Sequence, residues 1–467
     1  MQTPLEPSQS ERHQLTEAVS GFLDRFYAAL DDLPLEGLPL EPQEIDRLAT
    51  PPSEEGRSID ELLELIGLAN RPGSLHPSGG HMAFIPNGGL FTGALGAFLA
   101  SGLNRYTGVT HGAPGFARLE DSVLRWLADL FELPERDSGG ILLSGGSMAN
   151  FSALVAARTS RLPDDFLAGT IYVTRHAHHS ITKAARLAGF PASRVRVVDV
   201  DEELRMDLDD LAARVVSDKA DGLLPFLLVA SAGTTDSGTI DPLSDLAAFA
   251  SDHGLWFHVD AAYGGFFQLT ERGRKRLVGI GAADSITLDP HKGLSIPFGV
   301  GALLVRDRTT LLDVNAGKGA YLQEEEESSL DFSAMGPELT RPFRGMHVWL
   351  PLHLHGVAAF RSELDDALDL ADHAYRRLRE FPWIDRIWRP DLSIVAFRCD
   401  DDSRARDALA AVNDTRQVFL SSTTIDDRFV ARVAILNRRT TRHHVDTALD
   451  LFSAAYGGRG ARSPRPT

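Results

Sequence analysis

Residues Ser285–Gly293 read SITLDPHKG. The run Ile286, Thr287, Leu288 predicts a short buried strand, which ends on Asp289, Pro290, His291 and Lys292, with Gly293 behind them. A strand that delivers one lysine to its C-terminal edge places an amine where it can be desolvated. Desolvation weakens the amine's preference for the charged form and frees it to attack an aldehyde. A solvated loop lysine is the plainer reading of the same residues.

Leu255–Gly265, LWFHVDAAYGG, is built alike: an apolar strand ending on Asp260, then small residues. A carboxylate at the mouth of a hydrophobic sheet needs a partner. A protonated pyridine nitrogen supplies one through a charge-assisted hydrogen bond, and Ala261 and Ala262 leave room for a flat ring. A helix-capping aspartate is common at such turns. Capping does not explain why a small-residue shelf is followed, about one βα unit later, by a strand-end lysine.

HVDAAYGG followed by SITLDPHKG resembles the pyridoxal-phosphate-dependent group II amino acid decarboxylases, which include the aromatic L-amino acid, histidine and glutamate decarboxylases. The resemblance runs from His76 to Thr441 in the family's order. It implies an α/β fold of the aspartate-aminotransferase type (PLP fold type I). Such a fold is a mostly parallel sheet with helices on both faces, joined to an N-terminal helical arm and a small α+β C-terminal domain. It also implies pyridoxal 5'-phosphate bound covalently to Lys292, with Asp260 on the ring nitrogen.

Length and composition set wider bounds. The 467 residues, 43% hydrophobic, suffice for one large domain with appendages. A net charge of −18 argues against nucleic acid or an anionic membrane as partner. The single cysteine, Cys399, excludes intrachain disulfides and thiolate zinc sites and fits a reducing compartment. The start MQTPLEPSQSERHQL has no basic region leading into an apolar core, and no apolar run approaches the ~20 residues of a membrane helix. The expectation is a cytoplasmic enzyme without a metal.

Along the chain, Leu15, Val19, Phe22, Leu23, Phe26 and Leu30 share one face of a helix expected over Glu11–Leu30. The proline-rich stretch Leu33–Pro52 breaks it, and Ile59–Ala69 reads as another helix. Residues 1–84 are thus assigned to an arm and substrate-side segment, and Leu75–Pro86, which straddles its end, is loop-like. Residues 85–345 form the cofactor-binding domain, with strands expected at Ile141–Leu143, Thr170–Val173, Val195–Val198, Pro225–Val229, Trp256–Val259, Ile286–Leu288 and Ala302–Val305. Alternation with helices marks a parallel sheet, whose ligands bind at the carboxyl ends of the strands. Residues 346–456 form a smaller domain, helical to residue 380, with strands at Leu392–Cys399, Val418–Ser421 and Val430–Leu436. Residues 457–467 read as a disordered tail.

ILLSGGSMAN (Ile141–Asn150) reads strand, glycine turn, helix. A helix N-terminus offers free N–H groups and a positive dipole end to a phosphate. The resemblance makes Gly146 and Ser147 phosphate ligands. In YVTRHAHHSIT (Tyr172–Thr182) it selects His178 to stack on the cofactor ring and handle protons, with Ser180 as a second contact. In SAGTTDSGTIDP (Ser231–Pro242) it selects Thr235 beside the cofactor, with Thr234 as runner-up and Asp241 bracing the loop. Ala262 supports the ring, and His291 contacts phosphate or substrate. Phe84 and Ile85 match residues that line the substrate pocket.

RPFRGMHVWL resembles a family pattern at Arg341, Arg344 and Trp349, but His347 and His353 depart from it. Asp313–Pro342 lacks periodicity and carries Glu324–Glu327, and residues 313–335 within it match a mobile loop that the family exchanges between subunits of a homodimer, as it does the N-terminal arm. An ungapped count places Phe332 where the decarboxylases carry a reprotonating tyrosine and where aldehyde-forming relatives carry phenylalanine. Tyr321 is the other candidate for that role. The expected reaction is decarboxylation of an aromatic or apolar L-amino acid to the amine and CO2. Oxidative decarboxylation to the aldehyde with dioxygen is the alternative, and an aminotransferase or a non-catalytic cofactor binder stands further off.

Overall fold

The computed structural model describes residues 5–86, 88–316 and 331–457. Seven strands form the central sheet: β1 Gly139–Leu143, β2 Gly169–Thr174, β3 Val195–Val198, β4 Leu224–Ser231, β5 Trp256–Asp260, β6 Ser285–Leu288 and β7 Gly301–Val305. Their order is β1-β7-β6-β5-β4-β2-β3. Strands β2 to β6 pair in parallel, and β7 runs antiparallel to both its neighbours. The antiparallel β7 leaves β1 pointing the same way as β4, β5 and β6, so the carboxyl ends of all four share one edge.

Every residue of β2, β5, β6 and β7 is buried. A sheet covered on both faces requires continuous apolar runs rather than alternation, which is why these strands are visible in the sequence. The register pairs Ser231 with Asp260 and Asp260 with Thr287. The three strand ends are therefore level, and the loops leaving them open onto the same space.

A second sheet holds β8 Ile384–Ile387, β9 Ile394–Cys399, β10 Ser421–Ile425 and β11 Arg428–Ala434, all antiparallel in the order β8-β9-β11-β10. It has its own core around Phe397, Val433, Leu449 and Phe452. The strand expected at Val418–Ser421 is not formed as such: the ladder begins at Ser421. Phe419 instead pairs with the 80–82 segment, donating to the Gly80 carbonyl and accepting from Met82 N–H. The loop-like residues 75–86 are thereby fastened to the small sheet.

Two further departures have local causes. The stretch Leu33–Pro52 contains a helix, Pro42–Ala49, because Pro42 sits in its first turn and Glu41 and Glu44 cap each other's backbone. The helical region after residue 345 is two helices, Gly345–His355 and Val357–Leu378, parted at Gly356 with φ +75°. Phe91–Leu103, an apolar helix, precedes the first strand. The arm helix Gln9–Ala29 buries none of its residues, and Leu15 and Val19 stay exposed.

Candidate active site

The ends of β1, β4, β5 and β6 enclose a cavity of about 260 Å3. It is lined by Gly145, Gly146, Ser147, His178, Thr235, Asp260, Ala262, His291 and Lys292 among others, which brings together stretches 147 residues apart in the chain. Lys292 lies on the short helical turn Pro290–Gly293 that directly follows β6. Its Nζ is 2.9 Å from Asp289 Oδ2, and His291 Nε2 is 3.7 Å from the same oxygen. His291 Nδ1 faces the Val300 carbonyl at 2.7 Å; a carbonyl only accepts, so this nitrogen carries the hydrogen. Asp289 Oδ1 is buried with no partner among the described residues.

Asp260 closes β5 and is buried. Its Oδ2 accepts from Asn150 Nδ2 at 2.8 Å and its Oδ1 from the Ala262 N–H at 3.2 Å. The carboxylate is thus fixed from two sides while still facing the cavity. His178 is half-buried, its Nδ1 2.7 Å from Ser180 Oγ. Burial lowers its pKa, against the pull of nearby Asp260, so the ring is neutral at pH 7.

On the β1 side, Gly145 adopts φ 155°, ψ 173°, a conformation available essentially to glycine. It introduces the helix Gly146–Arg161, which has no side-chain cap; the Met148 and Ala149 N–H groups bond to the Gly145 carbonyl, which leaves those of Gly146 and Ser147, both lining the cavity, for a ligand. A Cβ on Gly146 would lie 2.9 Å from Asp289 Oδ2 and 3.2 Å from Ala262 Cβ. Only glycine leaves this cradle open.

Thr235 is exposed into the cavity, whereas Thr234 is buried and its hydroxyl is 2.9 Å from that of Ser237. The turn is held from the small sheet: Arg432 Nη2 donates to the Thr235 carbonyl at 2.6 Å, and Arg432 Nε to that of Asp236 at 2.7 Å. Asp241 braces the same segment by accepting from the N–H groups of Ser231 and Met206, and burial pushes its pKa up to about 6. A covalently competent amine, a fixed carboxylate, an imidazole and an open helix N-terminus thus face one cavity. That donor set fits an aldehyde-bearing phosphorylated pyridine.

Comparison with known proteins agrees. Residues 53–400 match the pyridoxal-dependent decarboxylase conserved domain. The chain belongs to that decarboxylase family. It is a pyridoxal-phosphate-dependent carboxy-lyase, with pyridoxal 5'-phosphate as cofactor. It is 32% identical to the aromatic-L-amino-acid decarboxylase of Bacillus atrophaeus, over 83% of each chain. It is 28% identical to the phenylacetaldehyde synthase of Arabidopsis thaliana, over 95% of this chain and 96% of the relative. The structure of Oryza sativa TDC with PLP and tryptamine superposes with a TM-score of 0.92 at 25% identity, covering 98% of this chain and 99% of that one.

Three of the decarboxylase's sequence-derived candidates lie away from the cavity. Ile85 is buried in the main core and Phe84 is 48% exposed; neither is among the cavity's lining residues. Phe84 instead joins an aromatic cluster with His76, His81 and Phe419. Phe332 is buried at 1% exposure, near Gly139 and Gly140 at the opposite end of β1, with the Arg341 guanidinium 5.1 Å over its ring. The ring packs as core in this conformation and is not among the residues that line the cavity of its own chain. Tyr321 and Glu324–Glu327 lie outside the described residues, as does the tail from residue 458.

Sequence reading missed Asn150, Asp289 and Arg432. Asn150 had one usable signal: it stands four residues after Gly146, on the same helix face, so it must look toward whatever the glycine turn holds. Arg432 had none, since its contact with Thr235 spans 197 residues.

Proposed function

We propose that this carboxy-lyase converts an L-amino acid with an aromatic or apolar side chain to its amine and CO2, acting as a homodimer. The observation that carries the reading is the convergence of Lys292, Asp260 and His178 on the cavity that also contains the Gly145–Gly146 turn. Lys292 is the covalent attachment point. The Gly146 and Ser147 N–H groups, with the Ser147 hydroxyl, hold the phosphate, and Thr235 contacts the cofactor beside them. When bound, the cofactor supplies an electron sink for cleavage of a bond at the amino acid's Cα.

The chain's residues support that sink in distinct ways. Asp260, locked by Asn150 and the Ala262 N–H, holds a negative charge where a ring N–H can use it. His178 presents a neutral imidazole, with Nδ1 engaged by Ser180, and so offers Nε2 to the cavity. Asp289 receives the charge of the Lys292 ammonium before the cofactor is attached.

The aromatic preference is supported by the decarboxylase relative from Bacillus atrophaeus, whose name specifies aromatic amino acids. The homodimer is supported by unburied apolar residues on the helix Phe91–Leu103, where Leu95, Phe98, Leu99 and Leu103 are all exposed. A second reading, aldehyde formation with dioxygen, keeps support from the phenylacetaldehyde synthase relative.

Incubating the holoenzyme with a panel of L-amino acids, and measuring amine, aldehyde and hydrogen peroxide together, separates these readings. The proposal expects amine without stoichiometric peroxide from an aromatic or apolar substrate. Aldehyde with matching peroxide would establish the second reading, and turnover confined to acidic or basic amino acids would overturn the substrate class. Light scattering at micromolar concentration should return twice the 50.8 kDa chain mass.

A further inference from the structure

A chain of buried side chains runs behind the cavity, and its chemistry fixes the direction of every link. Asn150 Nδ2 lies 2.8 Å from Asp260 Oδ2 and 2.9 Å from Ser180 Oγ, while Asn150 Oδ1 is 3.0 Å from His258 Nε2. A carboxylate only accepts, so the amide presents its NH2 to Asp260 and its carbonyl oxygen to His258. That oxygen accepts too, so His258 carries its hydrogen on Nε2.

The other side of His258 agrees. Its Nδ1 is 2.8 Å from Ser285 Oγ, and Trp256 Nε1 donates to the same oxygen at 2.8 Å. Having accepted from the indole, the Ser285 hydroxyl has its own hydrogen free for a bare Nδ1. Full burial brings the His258 pKa down to about 4, so the ring stays neutral. At the cavity end, Ser180 accepts from Asn150 and passes its hydrogen to His178 Nδ1 at 2.7 Å. Reversing any one link would leave a buried donor or acceptor unpaired.

We infer that Asn150, held in one orientation by His258, is the positioning residue that sets the cofactor-facing carboxylate of Asp260 and the tautomer of His178 together. The two groups proposed to grip the ring, one at its nitrogen and one at its face, are thereby joined through a single amide. The inference rests on the assignment of Asp260 and His178 to the cofactor. A polar group placed merely to fill buried space would not need a fixed orientation, and that difference is measurable.

Nitrogen-15 spectra of histidine-labelled holoenzyme, with the His258 signals identified by their loss in His258→Leu, should show one protonated and one bare nitrogen, the hydrogen on Nε2, unchanged between pH 8 and pH 6. An imidazolium, or a hydrogen on Nδ1, overturns the inference whatever the cofactor does in the variants. Asn150→Asp keeps the size of the side chain and removes both donors. It should raise the cofactor dissociation rate at least about tenfold and alter the bound cofactor's visible spectrum at fixed pH. His258→Gln retains a donor in the Nε2 position and should keep wild-type values, whereas His258→Leu should behave like Asn150→Asp. Wild-type dissociation and spectrum in Asn150→Asp, or equal behaviour of the two position-258 variants, would contradict the inference. None of these readouts depends on turnover, so they decide the matter even if no amino acid in the panel is decarboxylated.

Discussion

Arg341 Nη2 donates to Glu120 Oε1 at 2.5 Å, and neither side chain reaches solvent. The same nitrogen donates to the Leu142 carbonyl at 3.0 Å, two residues before the Ser144–Gly146 turn, and Glu120 Oε2 accepts from the Gly345 N–H. One buried pair therefore ties the segment after residue 331 to the helix Pro114–Leu130 and to the strand that carries the glycine turn.

Breaking such a pair leaves a lone buried charge, which costs about 3–5 kcal/mol. Arg341→Ala should lower the unfolding free energy by that amount in urea titrations. A loss below about 1 kcal/mol would mean that Glu120 finds another partner or takes up a proton at little cost.

Phe332→Tyr tests the placement of that ring in the core. A phenol at a site this enclosed buries a hydroxyl without a partner, at a cost of roughly 1–3 kcal/mol. Stability should fall while the ratio of amine to aldehyde product stays at the wild-type value. A shift in product ratio with undiminished stability would return Phe332 to the reacting centre.

His81 is buried with both ring nitrogens unpartnered among the described residues. Burial, with a smaller contribution from neighbouring His76, lowers its pKa to about 4. The unfolded chain titrates this group near 6.5, so below that pH the unfolded state binds a proton that the folded state refuses. The contribution to stability is present above pH 6.5 and is lost as pH falls toward 4, by at most about 1.4 kcal/mol per pH unit. His81→Phe, in a pocket already walled by Phe84 and Phe419, removes that dependence. Urea titrations at pH 7 and pH 5 should show the variant gaining on the wild type as pH falls; parallel losses would contradict the argument.

The strands and the strand-end residues were legible because burial on both faces writes a continuous apolar run, and a charged residue interrupts it where the sheet meets the cavity. Asp260 and Lys292 announce themselves in this way. The carboxylate–amide–imidazole chain does not: Asn150 and His258 are ordinary polar residues until 108 positions of chain fold between them. Counting along the sequence also gave no warning that Phe332 packs as core, since an ungapped alignment carries no information about which way a turn faces. The 80–82 segment shows a third limit, because its backbone partner, Phe419, lies 337 positions beyond Met82 in the chain.

The central claim is that Lys292 binds the cofactor covalently. Reduction of the holoenzyme with borohydride, followed by proteolysis and mass mapping, tests it directly. The cofactor's added mass should appear on the peptide containing Lys292 and be absent from a Lys292→Ala sample treated in parallel. Stoichiometric label on another lysine, or undiminished label in Lys292→Ala, would contradict it.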